Sequence, residues 1–342
     1  MGALLALLNL VLASAVLSTV ACPPPDHPLL KRWYSVGSPV QGEPLTNHAW
    51  PAIEPASGSG RIQPVRYCWA TESDYDTLHV LFEQAVQYWD IAKEQSALRI
   101  RSDTGTTSEP HKKCICSDPG VRPDALRVFD ITGKDEYRGA GGVTTRGYRW
   151  DLTTAGRHYL KFRRTDERLD VLIMAHEIGH AIGFDHEQSR PDASQYLDFR
   201  CGNLLDYEET KRKIEEANNG DTIEDACKDR YIARKYGFSA EHFLPEVTRA
   251  LGSAQWSKDF DDESIMLYGS YDGSKENRPV LLRKRRGQAS VADLKMGGWA
   301  GAVSIGDVAR VCQLYPDEHF DADEANENDP GWAPTSLPVP AA

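Results

Sequence analysis

His176-Glu177-Ile178-Gly179-His180-Ala181-Ile182-Gly183-Phe184-Asp185-His186 is the stretch that decides the fold. Two histidines four apart lie on one helix face, one turn up, so both imidazoles can reach one metal ion. Glu177 sits about 100° around the helix from His176, placed to hold a water instead of the metal. Gly183 permits a sharp turn through positive φ, which brings His186 back as a third ligand. Three histidines leave a coordination position open, the mark of a catalytic and not a structural zinc. Short HExxH patterns also occur by chance on helix surfaces. Here Val171-Leu172-Ile173-Met174-Ala175 precedes the motif, so the helix is apolar almost all round and buried. Unpartnered His and Glu side chains would be costly there.

The run HEIGHAIGFDHEQSRPD resembles the zinc signature of the astacin family, within the metzincin metallopeptidases. Glu187, directly after the third histidine, is the residue type that astacins carry at that place. Ser264-Ile265-Met266-Leu267-Tyr268-Gly269 resembles the family's methionine turn, with Leu267 where relatives commonly have His. Residues 62–100 resemble the opening strand-helix-strand, and Ser304 to Tyr315 the final helix. The resemblance implies an α+β, two-lobed metzincin-like zincin. A mixed sheet with two long helices would stand above a cleft, over a largely irregular lower lobe ending in a helix. It further implies that His176, His180 and His186 bind one zinc per chain and that Glu177 is the general base. Met266 would lie beneath the metal as packing. Tyr268 would be a possible further ligand that swings away to stabilise the oxyanion.

The rest of the chain sets the context. Its 342 residues carry a formal charge of −12, which argues against a nucleic-acid partner. Met1 to Ala21 has no charged side chain and ends in small residues, as a secretory signal peptide does. The protein is therefore expected to be secreted, with no stable membrane insertion. Residues 22–60, rich in Pro, Gly and Ser, read as a propeptide or linker with a possible cleavage after Arg32. Residues 61–317 read as the catalytic domain, with packing expected to begin at Arg61. Residues 318–342 carry six acidic side chains and four prolines, and read as a disordered tail.

Within the domain, helical spacing marks about 73–93, and strands are expected at 65–69, 98–100, 126–131 and 158–163. A helix capped by Asp166 runs to Phe184, another covers 204–217, and Ser304 and Asp307 start the last. Gly139 to Gly142 reads as a turn, since no Lys-Ser/Thr follows to make a phosphate cradle. Seven cysteines are present; losing Cys22 at the Lys31-Arg32 pair would leave six, enough for three disulfides. Cys201 and Cys227 flank a helical insertion and are expected to pair. Cys114 and Cys116, too close to pair with each other, would each reach Cys68 or Cys312.

The expected function is a secreted, monomeric zinc endopeptidase acting on protein or peptide substrates. The alternative is a catalytically silent binding protein on the same fold, which should lack the base or a ligand. A thermolysin-like peptidase would need a downstream Glu ligand instead of His186. Arg283-Lys284-Arg285-Arg286 reads either as a solvated loop or as a pocket wall favouring acidic substrate residues.

Overall fold

Val65, Tyr67 and Trp69 alternate with Arg66 and Cys68, yet all five are buried, as a central parallel strand requires. In the computed structural model this strand, β1 (Gln63–Trp69), is flanked on both edges by parallel neighbours: β2 (Leu98–Ser102) and β3 (Leu126–Asp130). Beyond β3 come β5 (Tyr159–Phe162), also parallel, and β4 (Gly142–Thr144), antiparallel at the edge. The order is β2-β1-β3-β5-β4, a mixed sheet. The structure describes residues 49–53, 62–93, 96–105, 109–137, 141–150, 152–165, 169–245, 259–298 and 301–316. It also describes the backbone of a two-residue ladder between Tyr34–Ser35 and Gln255–Trp256. The expected signal peptide, the Lys31-Arg32 pair, Cys22, Asp166 and the acidic tail lie outside these residues.

Two helices pack on the sheet. In α1 (Glu72–Gln87) Thr71 caps the start by accepting from Asp74 N, and Leu78, Phe82, Ala85 and Val86 face inward. Where helical spacing suggests one helix to 93, the chain breaks at Tyr88-Trp89 and resumes as α2 (Asp90–Lys93). The break lets Trp89 turn fully inward, its indole N–H donating to Ala175 O at 3.0 Å. The second helix, α3 (Asp170–Ile182), begins four residues beyond Asp166. Its first turn is tied down by Asp170, which accepts from Thr165 N at 2.9 Å and Thr165 Oγ1 at 2.5 Å.

Below the cleft the chain forms β6 (Leu197–Phe199), α4 (Tyr207–Ala217), α5 (Ile223–Ala226) and α6 (Arg230–Lys235), with β7 (Leu281–Arg283) antiparallel to β6. These elements share a separate apolar cluster around Leu204, Phe238, Leu267 and Val280. The last helix, α7 (Ile305–Leu314), has the expected capping box between Ser304 and Asp307 and packs Val308 and Val311 into the upper core.

Three expectations change. Packing begins before Arg61: Trp50 is fully buried, donates from Nε1 to Ala181 O at 2.9 Å and stacks edge-on against Tyr148. The cysteines differ in part: Cys201–Cys227 is a disulfide and Cys116 reaches Cys68, both as expected, but Cys114 is a buried free thiol. Cys312 is disulfide-bonded, though not to Cys114, so the even-number arithmetic fails. The reason is local: Cys114 and Cys116 flank a bridge between Ile115 and Trp69, which turns both toward Cys68, and one sulfur can take only one partner. Finally, Gly142 opens the edge strand β4 instead of closing a turn.

Candidate metal centre and catalytic cleft

The metal site is assembled by three backbone decisions. The α3 helix stacks His176 and His180 one turn apart. Gly183 ends it at φ 122°, a conformation an L side chain resists, with its N–H returning to Gly179 O and His180 O. The chain then reverses and delivers His186. All three imidazoles are buried and can hold a metal ion. Nε2 of His186 lies 3.2 Å from that of His176 and 3.0 Å from that of His180.

His176 and His180 are not the donors in these contacts. His176 Nδ1 lies 2.8 Å from Ile265 O, and His180 Nδ1 lies 2.9 Å from Phe184 O. A carbonyl can only accept, so both rings carry their proton on Nδ1 and present a bare lone pair at Nε2. Burial pushes His176 down to about 4 and the other two well below their ordinary value, which keeps all three neutral near pH 7. Converging lone pairs repel unless they share a cation. Nitrogens bound tetrahedrally at about 2.0–2.1 Å from a zinc stand about 3.3 Å apart, close to the spacing seen. The donor set fits zinc.

Glu177 lies beside this cluster. Burial pushes its carboxyl up to about 7, against the opposing hydrogen bond from Thr144 and the charge of Arg146. Thr144 Oγ1 donates to Glu177 Oε2 at 2.6 Å, and Gly142 passes so close that a Cβ there would run into the Glu177 side chain. Strand β4 is thus shaped around the carboxylate. Neither Thr144 nor Gly142 stands out in the sequence; only the glycine-rich approach to β4 signals a close backbone contact.

The methionine turn lies beneath. Asp307, at the start of α7, accepts from Ser264 Oγ at 2.7 Å and Ile265 N at 2.9 Å. Ser264 Oγ in turn accepts from Met266 N at 3.0 Å. The Met266 sulfur fills the space a side chain at residue 179 would need, which explains Gly179 inside the motif. The Tyr268 ring lies tilted 4.6 Å from the His186 ring, and its backbone N–H donates to Gln188 Oε1 at 3.1 Å. Burial raises the Tyr268 phenol well above its ordinary value, so it stays a donor.

Residues 160–227 match the model of the peptidase family described as Astacin. Over this segment the chain is similar to astacins. Astacin-like metalloprotease toxin 5 of Loxosceles gaucho is 33% identical over 111 residues, covering 32% of this chain and 41% of that protein. Astacin-like metalloprotease toxin 1 of Loxosceles intermedia is 28% identical over 150 residues, covering 43% of this chain and 42% of that protein. The chain thus spans less than half the length of these relatives. High choriolytic enzyme 1, a hatching enzyme zinc-protease from Oryzias latipes, aligns over 78% of this chain and 94% of its own at 16% identity, with a TM-score of 0.43.

The astacin-like segment also contains Glu187. Its carboxylate is fully buried, and burial pushes it up to about 7 against the Arg190 charge and a bond from Asp261 N. Arg190 Nη1 donates to it at 2.8 Å. Glu187 N donates to Met266 O at 3.1 Å, which pins the turn after His186 onto the methionine turn. The basic run has partners of its own. Arg283 pairs with Asp262 and, at 3.3 Å, with Asp293, and Arg285 reaches Asp293 at 2.6 Å. Lys284 Nζ donates to Ser194 O at 2.6 Å. Arg283 ends β7, while Lys284, Arg285 and Arg286 are exposed, which fits the solvated-loop reading.

Proposed function

We infer that the protein is a secreted zinc endopeptidase with one zinc per chain. A zinc ion held by His176, His180 and His186 supplies Lewis acidity, acidifying water and polarising a peptide carbonyl. The observation that carries the reading is three buried, neutral imidazoles with converging Nε2 atoms and a buried carboxylate beside them.

The chain's own residues account for the proton steps. Glu177 has a carboxylate tuned toward neutrality, which suits a group that must both accept and release a proton near pH 7. Its Oε2 is fixed by Thr144, leaving Oε1 to take a proton from water as it attacks the carbonyl carbon. The same proton then passes to the amine nitrogen as the C–N bond breaks. Tyr268 keeps its hydroxyl proton and can donate to the oxyanion that develops on the former carbonyl oxygen. Met266 shapes the floor and is not a ligand.

Peptide substrates follow from the astacin-like match, and secretion from the apolar, uncharged first 21 residues. Among the described residues no helix is long and apolar enough to cross a membrane. The test is casein hydrolysis before and after 1,10-phenanthroline. Activity should vanish with chelator and return on adding zinc; hydrolysis that persists in the metal-free protein would overturn the reading.

A further inference from the structure

The three imidazoles are not anchored alike. His176 and His180 each have Nδ1 fixed by a backbone carbonyl. His186 Nδ1 is buried with no hydrogen-bond partner among the described residues. Its ring lacks the outer hydrogen bond that usually orients a metal-binding histidine. Its position then depends on its main chain and on the rings around it, His180 at 4.5 Å, Tyr268 at 4.6 Å and His176 at 5.1 Å.

The main chain of His186 is held by its neighbour. Asp185 Oδ1 accepts from His186 N at 2.9 Å. The same oxygen lies 3.0 Å from Arg146 Nη2, with the aspartate side chain 3% exposed and the arginine 24%. Arg146 thus reaches a buried carboxylate that also holds the His186 main chain. Arg146 follows β4, whose Thr144 binds Glu177, and the next residue's N–H, Gly147 N, donates to His180 O at 2.8 Å. The short segment 142–147 therefore touches the base, the second ligand's backbone and, through Asp185, the third.

We propose that Arg146 is a positioning residue for the third ligand: its ion pair with Asp185 fixes the His186 backbone and replaces the missing Nδ1 anchor. The inference rests on reading the three imidazoles as metal ligands. Removing the guanidinium strips the buried Asp185 carboxylate of this cation. The carboxylate then turns toward water, and the His186 turn loosens.

The test is zinc affinity, measured by chelator competition on the full chain, together with the melting temperature of the metal-free protein. Arg146→Met should weaken zinc binding about 10- to 100-fold, the usual effect of losing an outer-shell partner. Arg146→Lys, which keeps a cation on a flexible stem, should restore part of that loss. Asp185→Asn keeps an oxygen for His186 N–H but removes the charge; in that background Arg146→Met should have no further effect. A merely structural role would lower metal-free melting and leave the two substitutions additive, which would overturn the proposal. So would wild-type affinity in Arg146→Met. If the wild-type protein itself binds no zinc, the reading of the site falls, a result distinguishable from failure of the Arg146–Asp185 pair alone.

Discussion

Tyr268 and Thr144 are where single side chains make separable predictions. The Tyr268 hydroxyl is expected to act on the transition state more than on bound substrate. Tyr268→Phe should lower kcat by about 100-fold with little change in KM, as loss of one oxyanion donor does. A raised KM at unchanged kcat would assign it to substrate binding instead. Thr144→Val removes the donor to Glu177 Oε2 while keeping the shape of β4. That hydrogen bond opposes the effect of burial, so its loss should raise the Glu177 pKa further. The acidic limb of kcat/KM against pH should then move to higher pH, and an unmoved limb would contradict the role. The sequence exposes these residues unequally. His176, Glu177, His180 and His186 are legible because helical spacing and one glycine place them. Thr144 and Arg146 are not, since a strand of three residues carries too short a pattern and its partner lies 33 positions away.

At the scale of elements, the sheet is crossed by a buried charge cluster. Arg66 on β1 pairs with Asp103 at 3.1 Å and with Asp124 at 3.0 Å, and Tyr148 donates to Asp124 at 2.7 Å. Burial opposes ionisation of Asp124, but Arg66 and these hydrogen bonds outweigh it and hold its pKa below the ordinary value. The unfolded chain therefore binds more protons in this window, and stability from this group is present above about pH 4 and lost as pH falls through the folded value. Asp124→Asn should cost about 2 kcal/mol at pH 7 and flatten the acid limb, as read from urea midpoints at pH 3 and pH 7. An undiminished acid limb would show that the pair contributes nothing. The amino-terminal packing is a second case. Trp50→Ala should cost about 3–5 kcal/mol, because a fully buried indole between α3 and Tyr148 leaves a cavity. Loss well under 1 kcal/mol would make residues 49–53 a dispensable attachment. The sequence hides this contact: a lone tryptophan among prolines and glycines has no period to betray which core it fills.

At the scale of the whole molecule, two apolar clusters meet at the methionine turn, where Ile265 and Met266 belong to the upper core and Leu267 to the lower. The order of strands and helices in the upper core was legible because each long element has a clear period. The lower lobe was legible only in part: its longest helix and the Cys201–Cys227 cross-link carry signals, whereas its short helices and the β6–β7 pair carry no period long enough to read. Opening Cys201–Cys227 by Cys227→Ser should cost about 3 kcal/mol in the chain-entropy model and loosen the lower cluster before the upper one. Hydrogen exchange should show early opening of residues 204–244, and uniform opening would contradict two cores. On the proposed function, this architecture holds a zinc ion beside one carboxylate. Zinc content and casein hydrolysis, measured together on the wild-type protein and on Glu177→Ala, test it most directly. One zinc per chain is expected in both, and hydrolysis only in the wild type. Hydrolysis by Glu177→Ala at near the wild-type rate would contradict it.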